Sequence, residues 1–179
     1  MEIKEQFDFF NKLKAERNRI AEAGKYDVIK WQCMPDAPVS RFLSICSRGG
    51  KDYLVDHTNE TVVEVFEADE IKPNLGYITP ATFRIGDKWG IVSSSGEIIL
   101  EAKYDSVIQD ANDFIYIELD GKAGLIADGH IIEPKFDSID IWDDDYIKVT
   151  LNGEDGYIDE NDEFTTDRSE AFYGNQMFL

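Results

Sequence analysis

Apolar and polar residues alternate along the second half of the chain. The stretch FIYIEL at 114–119 places Ile115, Ile117 and Leu119 on one side, and YIKVTL at 146–151 repeats this arrangement. A period of two residues is typical of half-buried antiparallel strands. The sequences LDGKAG and LNGEDG follow these stretches, and their Asp-Gly and Asn-Gly pairs suit tight hairpin turns. The pattern therefore predicts small antiparallel β-meanders.

Glycines recur at nearly constant distances in equivalent surroundings. Gly90, Gly124 and Gly156 lie 34 and 32 residues apart, in KWGIVSSSG, KAGLIADGH and GEDGYIDEND. The distance from Tyr104 to Gly124 is 20 residues, and Phe136 precedes Gly156 by the same 20. Such a period indicates repeated supersecondary units. Each glycine stands where a strand begins, so we expect a bulge there, or a backbone or an aromatic ring of a neighbouring unit in close contact.

Weaker copies of the same unit precede residue 83. KDYLVDHTN aligns with KWGIVSSSG and places Tyr53 in the glycine position. Pairs of an aromatic and an acidic residue occupy KYDVI at 25–29 and FEADEI at 66–71, so the aromatic positions fall at 26, 66, 104 and 136. About four units follow from this count, and the fold class is mainly β, with tandem antiparallel β-meander repeats.

These motifs resemble the WG-repeat family, also called KWG repeats. The resemblance rests on a Trp-Gly or x-Gly pair, an (I/L)(V/I)xxxG turn, a β-branched run and P-K-(Y/F)-D-x-(V/I). It is strongest over 83–164. Trp89 is the one tryptophan in its position, since Ala123 and Asp155 replace it in later units. The resemblance implies the fold of the repeats and leaves the function open.

The first 24 residues differ from the rest of the chain. Residues 2–23 contain no proline or glycine, apolar residues such as Phe10 and Ile20 recur at steps of three and four, and Gly24 follows. We expect an N-terminal amphipathic α-helix over 1–24 that caps the β-repeat region 25–179, with that region acting as one domain. The alternative is a helix that binds a partner or a membrane surface, but basic residues do not dominate its polar face.

Negative charge is concentrated in the C-terminal half. The net charge is −19, and residues 101–179 hold 21 Asp and Glu against five Lys and Arg. Such a surface repels phosphate backbones, so direct nucleic-acid binding is not expected. The same field attracts a basic protein partner and speeds its association. The alternative is that the charge only keeps the protein soluble.

Two acidic loops occupy equivalent places in successive units, QDANDFIYI and DIWDDDYIKV. Carboxylates beside an exposed aromatic residue bind Lys and Arg by ion pairing and stacking. The candidate partner-binding residues are Asp110, Asp113, Asp140, Trp142, Asp143, Asp144, Asp145 and Tyr146. The alternative is that both loops are solvated turns.

The sequence offers little that suits catalysis. Cys33 and Cys46 fit neither a CxxC motif nor a disulfide scaffold. Asp56 and His57 could support Cys46 as a nucleophile, because a thiolate needs a neighbouring base, but a structural role is the simpler interpretation. His130 falls at a hairpin turn. We expect no enzyme, and no cofactor.

One loop in the last unit resembles a calcium site. Asp159, Asn161 and Glu163 follow the spacing of a calcium loop, but the glycine and the distal glutamate that such a loop requires are missing. We therefore expect no metal.

Two functions fit these features. In the first, the chain is an immunity protein, an antitoxin that neutralises a cationic bacterial toxin, a nuclease, by covering its active site; WG-like proteins also occur beside toxins. In the second, it is a non-catalytic scaffold that binds a peptide or glycan through Phe114, Tyr116 and Tyr146. No segment of the sequence reads as a signal peptide or a membrane span, which favours the cytoplasm.

Overall fold

The computed structural model of the protein is built of β-sheets. It describes residues 11, 14–15, 17–21, 25–32, 43–58, 61–74, 77–109, 114–127, 130–141 and 146–171. In this part of the chain sixteen strands form four antiparallel sheets of four strands each. Within every sheet, strands that follow one another in sequence lie side by side. The predictions of a mainly β fold and of four tandem meander units are therefore confirmed.

The sheets are numbered in chain order. Sheet 1 contains β1 (Val28–Gln32), β2 (Leu43–Arg48), β3 (Lys51–Asp56) and β4 (Val63–Ala68). Sheet 2 contains β5 (Glu70–Asn74), β6 (Tyr77–Ile85), β7 (Lys88–Val92) and β8 (Ile98–Tyr104). Sheet 3 contains β9 (Ser106–Gln109), β10 (Ile115–Leu119), β11 (Lys122–Ala127) and β12 (His130–Phe136). Sheet 4 contains β13 (Ser138–Asp140), β14 (Lys148–Leu151), β15 (Glu154–Ile158) and β16 (Phe164–Thr165).

The central hairpins of sheets 3 and 4 turn where the sequence predicts them. Asp120 and Gly121 have φ values of 53° and 73°, and Asn152 and Gly153 have 55° and 80°. Two successive positive φ angles define the turn that matches the twist of a β-hairpin. Asp and Asn tolerate this conformation better than other non-glycine residues, which explains the Asp-Gly and Asn-Gly pairs.

The chain divides into two compact units, residues 1–102 and residues 103–179. The boundary falls within β8, after Ala102. That residues 25–179 act as one domain stays a prediction.

In the first unit the core lies between sheets 1 and 2. Its buried residues come from both sheets and are Leu43, Ile45, Leu54, Ala68, Ile71, Ala81, Phe83 and Val92. Phe66 packs edge-on against Phe83, with ring centroids 4.7 Å apart. Burying such apolar side chains stabilises the fold by about 1.5–3 kcal/mol each. One face of sheet 1 is therefore used to hold sheet 2.

The opposite face of sheet 1 packs against the N-terminal helix. Residues 11, 14–15 and 17–21 are helical, and the fully buried Ile20 contacts a cluster formed by Cys46, Tyr53 and Val55. The predicted amphipathic helix is confirmed at these positions. The other residues of 1–24 lie outside the described residues. No helix among the described residues is long and apolar enough to cross a bilayer.

The second unit repeats this construction with sheets 3 and 4. The shared core consists of Phe114, Leu125, Ile132, Phe136, Ile147, Val149 and Ile158. Leu125 in sheet 3 and Val149 in sheet 4 thus face the same apolar layer. In both units, one sheet uses the same face to hold the sheet that follows it.

The recurring glycines lie against neighbouring backbone. A Cβ atom on Gly124 would lie 2.5 Å from the carbonyl oxygen of Ile132 and 2.7 Å from the nitrogen of Pro134. On Gly156 it would lie 2.6 Å from the ring of Phe164. The predicted close approach is confirmed. The prediction that the neighbour belongs to another unit is wrong, because these atoms come from the next strand of the same sheet.

An aspartate stands directly before the first strand of each sheet. These four residues, Asp27, Asp69, Asp105 and Asp137, are called the linker aspartates. The residue before each is Tyr26, Ala68, Tyr104 or Phe136, respectively.

In sheet 2, the residue before the linker aspartate is Ala68 and not an aromatic residue. The prediction that Phe66 occupies this position is therefore wrong. Ala68 pairs with Asp52, and Phe136 pairs with Ala123 in the same way. Ala68 and Phe136 therefore occupy equivalent positions. The sequence pattern was misleading because Phe66, two residues earlier, is also followed by an acid.

Candidate functional site

Two of the eight candidate partner-binding residues lie in the described part of the chain. Asp140 ends β13 and is exposed, and Tyr146 is half-buried just before β14. The other six, Asp110, Asp113, Trp142, Asp143, Asp144 and Asp145, lie outside the described residues. Their part in binding stays a prediction.

Asp140 belongs to a polar surface that is called the outer face of sheet 4. Strand pairing aligns Ser138 with Thr150 and Asp155 in one row, and Asp140 with Lys148 and Tyr157 in a second row. Side chains of neighbouring strand residues alternate between faces, so these six residues share one side of the sheet. Neighbouring residues of the same strands, such as Val149 and Ile158, face the apolar core instead.

The outer face of sheet 4 contains a shallow groove of about 300 Å³, lined by both rows. Along its floor, the Ser138 hydroxyl donates a hydrogen bond to Thr150 Oγ1 at 3.0 Å. Thr150 Oγ1 in turn donates to Asp155 Oδ1 at 2.9 Å. This chain of bonds fixes the orientation of the Asp155 carboxylate at the surface.

Tyr157 lines this groove, and Tyr146 lies next to it. The rings of Tyr146 and Tyr157 are 5.9 Å apart in an edge-to-face arrangement. The guanidinium carbon of Arg168 lies 4.8 Å from the centroid of the Tyr146 ring. Such a distance allows a cation–π interaction. The surface next to the groove therefore already holds an arginine of its own chain.

The same face of sheet 3 has a different composition. Counted from the linker aspartates and the hairpin turns, Ile108, Tyr116, Ala123 and Leu125 correspond to Asp140, Lys148, Asp155 and Tyr157. Leu125 is fully buried in the core shared with sheet 4, whereas Tyr157 remains partly exposed. The outer face of sheet 4 is thus polar, whereas the equivalent face of sheet 3 packs against sheet 4 through Leu125.

The predicted aromatic face does not form as expected. Phe114 is buried in the core of the second unit, and Tyr116 is half-buried against the same core. Phe114 cannot present its ring to a ligand because sheet 4 covers it. Tyr146 is partly exposed, and its aromatic neighbour is Tyr157, which was not among the predicted residues.

The surroundings of Cys46 do not favour a nucleophilic thiol. Cys46 is fully buried, and burial, together with the negative charges of Asp52 and Glu64, raises the pKa of its thiol to about 12. His57 is also buried, with Nε2 2.9 Å from the hydroxyl oxygen of Ser44. A thiol with such a pKa stays protonated at neutral pH and is a poor nucleophile.

The loop that resembles a calcium site is held by its own backbone. Asp159 Oδ1 accepts hydrogen bonds from the N–H groups of Asn161 and Glu163, both at 2.8 Å. These bonds lower the pKa of Asp159. His130 is exposed at the start of β12, with Nε2 2.9 Å from Asp162 Oδ1. The described residues contain no group of three or more His, Cys, Asp or Glu that could hold a metal ion.

Asp155, Tyr157 and Arg168 are surface residues that the sequence pattern did not indicate. The signal that could have found Tyr157 is its place directly after a recurring glycine. Ile91 and Leu125 fill that place in the two preceding sheets, and both are buried. A tyrosine at a position otherwise occupied by buried aliphatic residues indicates that nothing packs over it in the same way.

Comparison with known protein families matched part of the chain. Residues 89–122 and 131–154 match the model of the WG containing repeat. These ranges cover most of β7 to β10 and of β12 to β14, so the matched segments fall on the sheets described above. No curated protein and no solved structure matched the chain.

Proposed function

We propose that this chain, which carries WG repeats over residues 89–122 and 131–154, acts as a non-catalytic module that binds a basic protein. The observation that carries the proposal is the distribution of charge. Residues 103–179 hold 20 Asp and Glu against five Lys and Arg, a net charge of −15. A field of this size steers a cationic partner toward the second unit and raises its association rate.

The surface chemistry of sheet 4 supports the same proposal. Asp140 is exposed and has no hydrogen-bond or ion-pair partner among the described residues. Asp155 is exposed and oriented by Thr150, and Tyr157 lies in the same row as Asp140. Carboxylates next to aromatic faces suit the cationic side chains of a protein partner.

The finer proposal concerns the identity of that partner. We propose that it is a cationic bacterial toxin with nuclease activity, and that this chain is the cognate cytoplasmic immunity protein. A nuclease attracts phosphates through clustered cations. An acidic surface of matching shape would occupy those cations and cover the active site.

The test is inhibition of a purified basic nuclease from the same source, measured against salt. We expect nucleic-acid cleavage to stop at equimolar inhibitor, and affinity to fall steeply between low and moderate salt. The variant Asp143→Asn, Asp144→Asn, Asp145→Asn should bind at least tenfold more weakly, because each lost ion pair costs up to about fivefold.

A matched control removes the same charge elsewhere. Asp87, Glu97 and Glu101 are exposed acids of the first unit, and neutralising all three leaves the second unit unchanged. We expect this control to bind nearly as well as the original chain. Equal weakening by both triple variants would contradict a site in the second unit, and retention of no basic protein would contradict the function itself.

The groove on sheet 4 favours a second candidate function, a scaffold that binds a peptide. Its floor contains polar groups that could pair with a peptide backbone, and Tyr157 offers an apolar ring. Binding of this kind depends on contact area and is nearly independent of salt. Salt dependence therefore separates the two functions.

A further inference from the structure

We propose that the outer face of sheet 4 binds an arginine side chain of the basic partner, between the Asp140 and Asp155 carboxylates and against the ring of Tyr157. The proposal rests on the proposed function, since it names the group that the protein partner inserts. The groove is then a second contact site for the partner, in addition to the acidic loops.

The groove coincides with a change of residue type at equivalent positions of sheets 3 and 4. In sheet 3, Leu125 lies on the face that packs against sheet 4 and is fully buried. In sheet 4, Tyr157 takes the place of Leu125 and Asp155 that of Ala123, and both are at least partly exposed. The same sheet face therefore changes from an apolar contact into a polar surface groove of about 300 Å³.

Charge makes a cationic occupant the best fit. Two exposed carboxylates line the groove, against the single ammonium of Lys148. Asp155 is held by Thr150 Oγ1 at 2.9 Å, and Asp140 has no ion-pair partner among the described residues. A second copy of this chain fits poorly, because two molecules with a net charge of −19 repel each other.

The aromatic rings favour arginine over lysine. Guanidinium groups are planar, stack on tyrosine rings and bind carboxylates through two N–H groups, whereas an ammonium is a strongly hydrated point charge. The protein provides an example in Arg168, whose guanidinium carbon lies 4.8 Å from the Tyr146 ring centroid. Tyr146 is in turn in edge-to-face contact with Tyr157. We expect the partner's arginine to stack on Tyr157, the other ring of this pair.

The first experiment measures binding of two synthetic peptides, octaarginine and octalysine, to the full chain by calorimetry at 150 mM salt. Nuclear magnetic resonance on the isotope-labelled protein then maps where each peptide binds. We expect octaarginine to bind at least threefold more tightly than octalysine. Its largest shifts should fall on backbone amides of Lys148–Leu151 and Glu154–Ile158.

Variants in the groove test the named residues. We expect Asp155→Asn and Asp140→Asn each to weaken octaarginine binding about threefold to fivefold, as exposed ion pairs of this kind do. Tyr157→Leu, which restores the residue type of sheet 3, should reduce the preference for arginine over lysine. The matched control is Glu133→Gln, which removes one exposed carboxylate of β12 outside the groove and should change affinity less than twofold.

Three results of the peptide experiments would each overturn the proposal. These are equal binding of both peptides, chemical shift changes that fall outside β14 and β15, and groove variants that behave like Glu133→Gln. Dimerisation of the chain through this face, seen by sedimentation, would also overturn it. Failure of the proposed function looks different: a basic nuclease would then be neither retained nor inhibited, whatever the peptides do.

Discussion

The carboxylate of Asp137 accepts a hydrogen bond from the backbone N–H of Gly153, 3.0 Å away, at the tip of the central hairpin of sheet 4. Its other oxygen lies 2.5 Å from the ammonium of Lys122, which begins β11 in sheet 3. In the first unit, Asp69 makes the equivalent contacts with Gly86 and Lys51. Each of these linker aspartates therefore joins two consecutive sheets.

Replacing such a linker aspartate should loosen the contact between its two sheets. We expect Asp137→Ala to lower the midpoint of urea unfolding, because the N–H of Gly153 and the ammonium of Lys122 both lose their acceptor. Asp137→Asn keeps a possible acceptor and should cost less. Glu160→Ala is the control, since Glu160 is exposed and has no hydrogen-bond or ion-pair partner among the described residues. A midpoint equal to that of the control would contradict the bridging role.

Acid should weaken the first unit through Glu64. Hydrogen bonds from Arg48, Lys25 and Tyr26 lower the pKa of Glu64 from 4.5 to about 2. Because the folded-state pKa is the lower one, the stabilising contribution is complete above pH 4.5 and is lost as the pH falls from there toward 2. We expect the unfolding free energy to decline in this window, and the decline to be smaller in Glu64→Gln.

The comparison is made by urea unfolding at several pH values between 6 and 2.5. Asp69 and Asp137 also have lowered pKa values, so part of the decline should remain in the variant. Identical pH profiles for Glu64→Gln and the original chain would rule out the assigned role of Glu64.

Adding a methyl group to Gly124 should be costly. The new Cβ would lie 2.5 Å from the carbonyl oxygen of Ile132, and backbone atoms cannot move aside as a flexible side chain can. We expect Gly124→Ala to lower the unfolding free energy by about 2–4 kcal/mol, as overpacking in a dense interior does. Ala123→Ser, at the adjacent half-buried position, is the control and should cost much less. Calorimetry of both variants measures the difference.

Replacing Tyr53 by glycine, the residue at this position in the later repeats, should destabilise the protein. The tyrosine ring is buried against Ile20 and Val55, and the Arg48 guanidinium lies 4.3 Å from its centroid. Loss of such an aromatic side chain leaves a cavity, so Tyr53→Gly should cost about 3–5 kcal/mol in thermal or urea unfolding. Tyr53→Phe keeps the ring and is the control. If glycine were neutral here, the contact with the helix would not be stabilising.

Cys46 should be unreactive in the folded protein. Its thiol is buried and its pKa is raised to about 12, so almost no thiolate exists at pH 8. In a Cys33→Ser background, we expect labelling by a disulfide reagent to be slow and to speed up when urea unfolds the chain. Rapid labelling in the native state would revive the thiol-enzyme hypothesis.

Periodicity predicted the repeats well because the repeated residues have local causes. Asn152 and Gly153 adopt positive φ in a hairpin, and Gly156 allows the next strand to approach; both requirements depend on nearby residues. The helix at Ile20 follows from the same kind of local pattern.

Features that depend on the neighbouring sheet were harder to predict. Phe114 stands in a strand pattern as if it could face solvent, yet sheet 4 covers it. Tyr157 differs from Leu125 by what packs over it, which a single strand does not reveal. Ala68 takes the position that an aromatic residue fills in the other sheets, because its pairing with Asp52 sets the strand register. The sequence pattern pointed to Phe66 instead, since Phe66 is also followed by an acidic residue.

The polar outer face of sheet 4 also bears on the assembly of the molecule. A leucine at the place of Tyr157, as in sheet 3, would offer a second molecule an apolar surface of the kind that holds sheet 4 on sheet 3. Repeated head-to-tail contacts of that kind close into rings or propagate into filaments. The charges of Asp140, Lys148 and Asp155 on this face oppose such a contact.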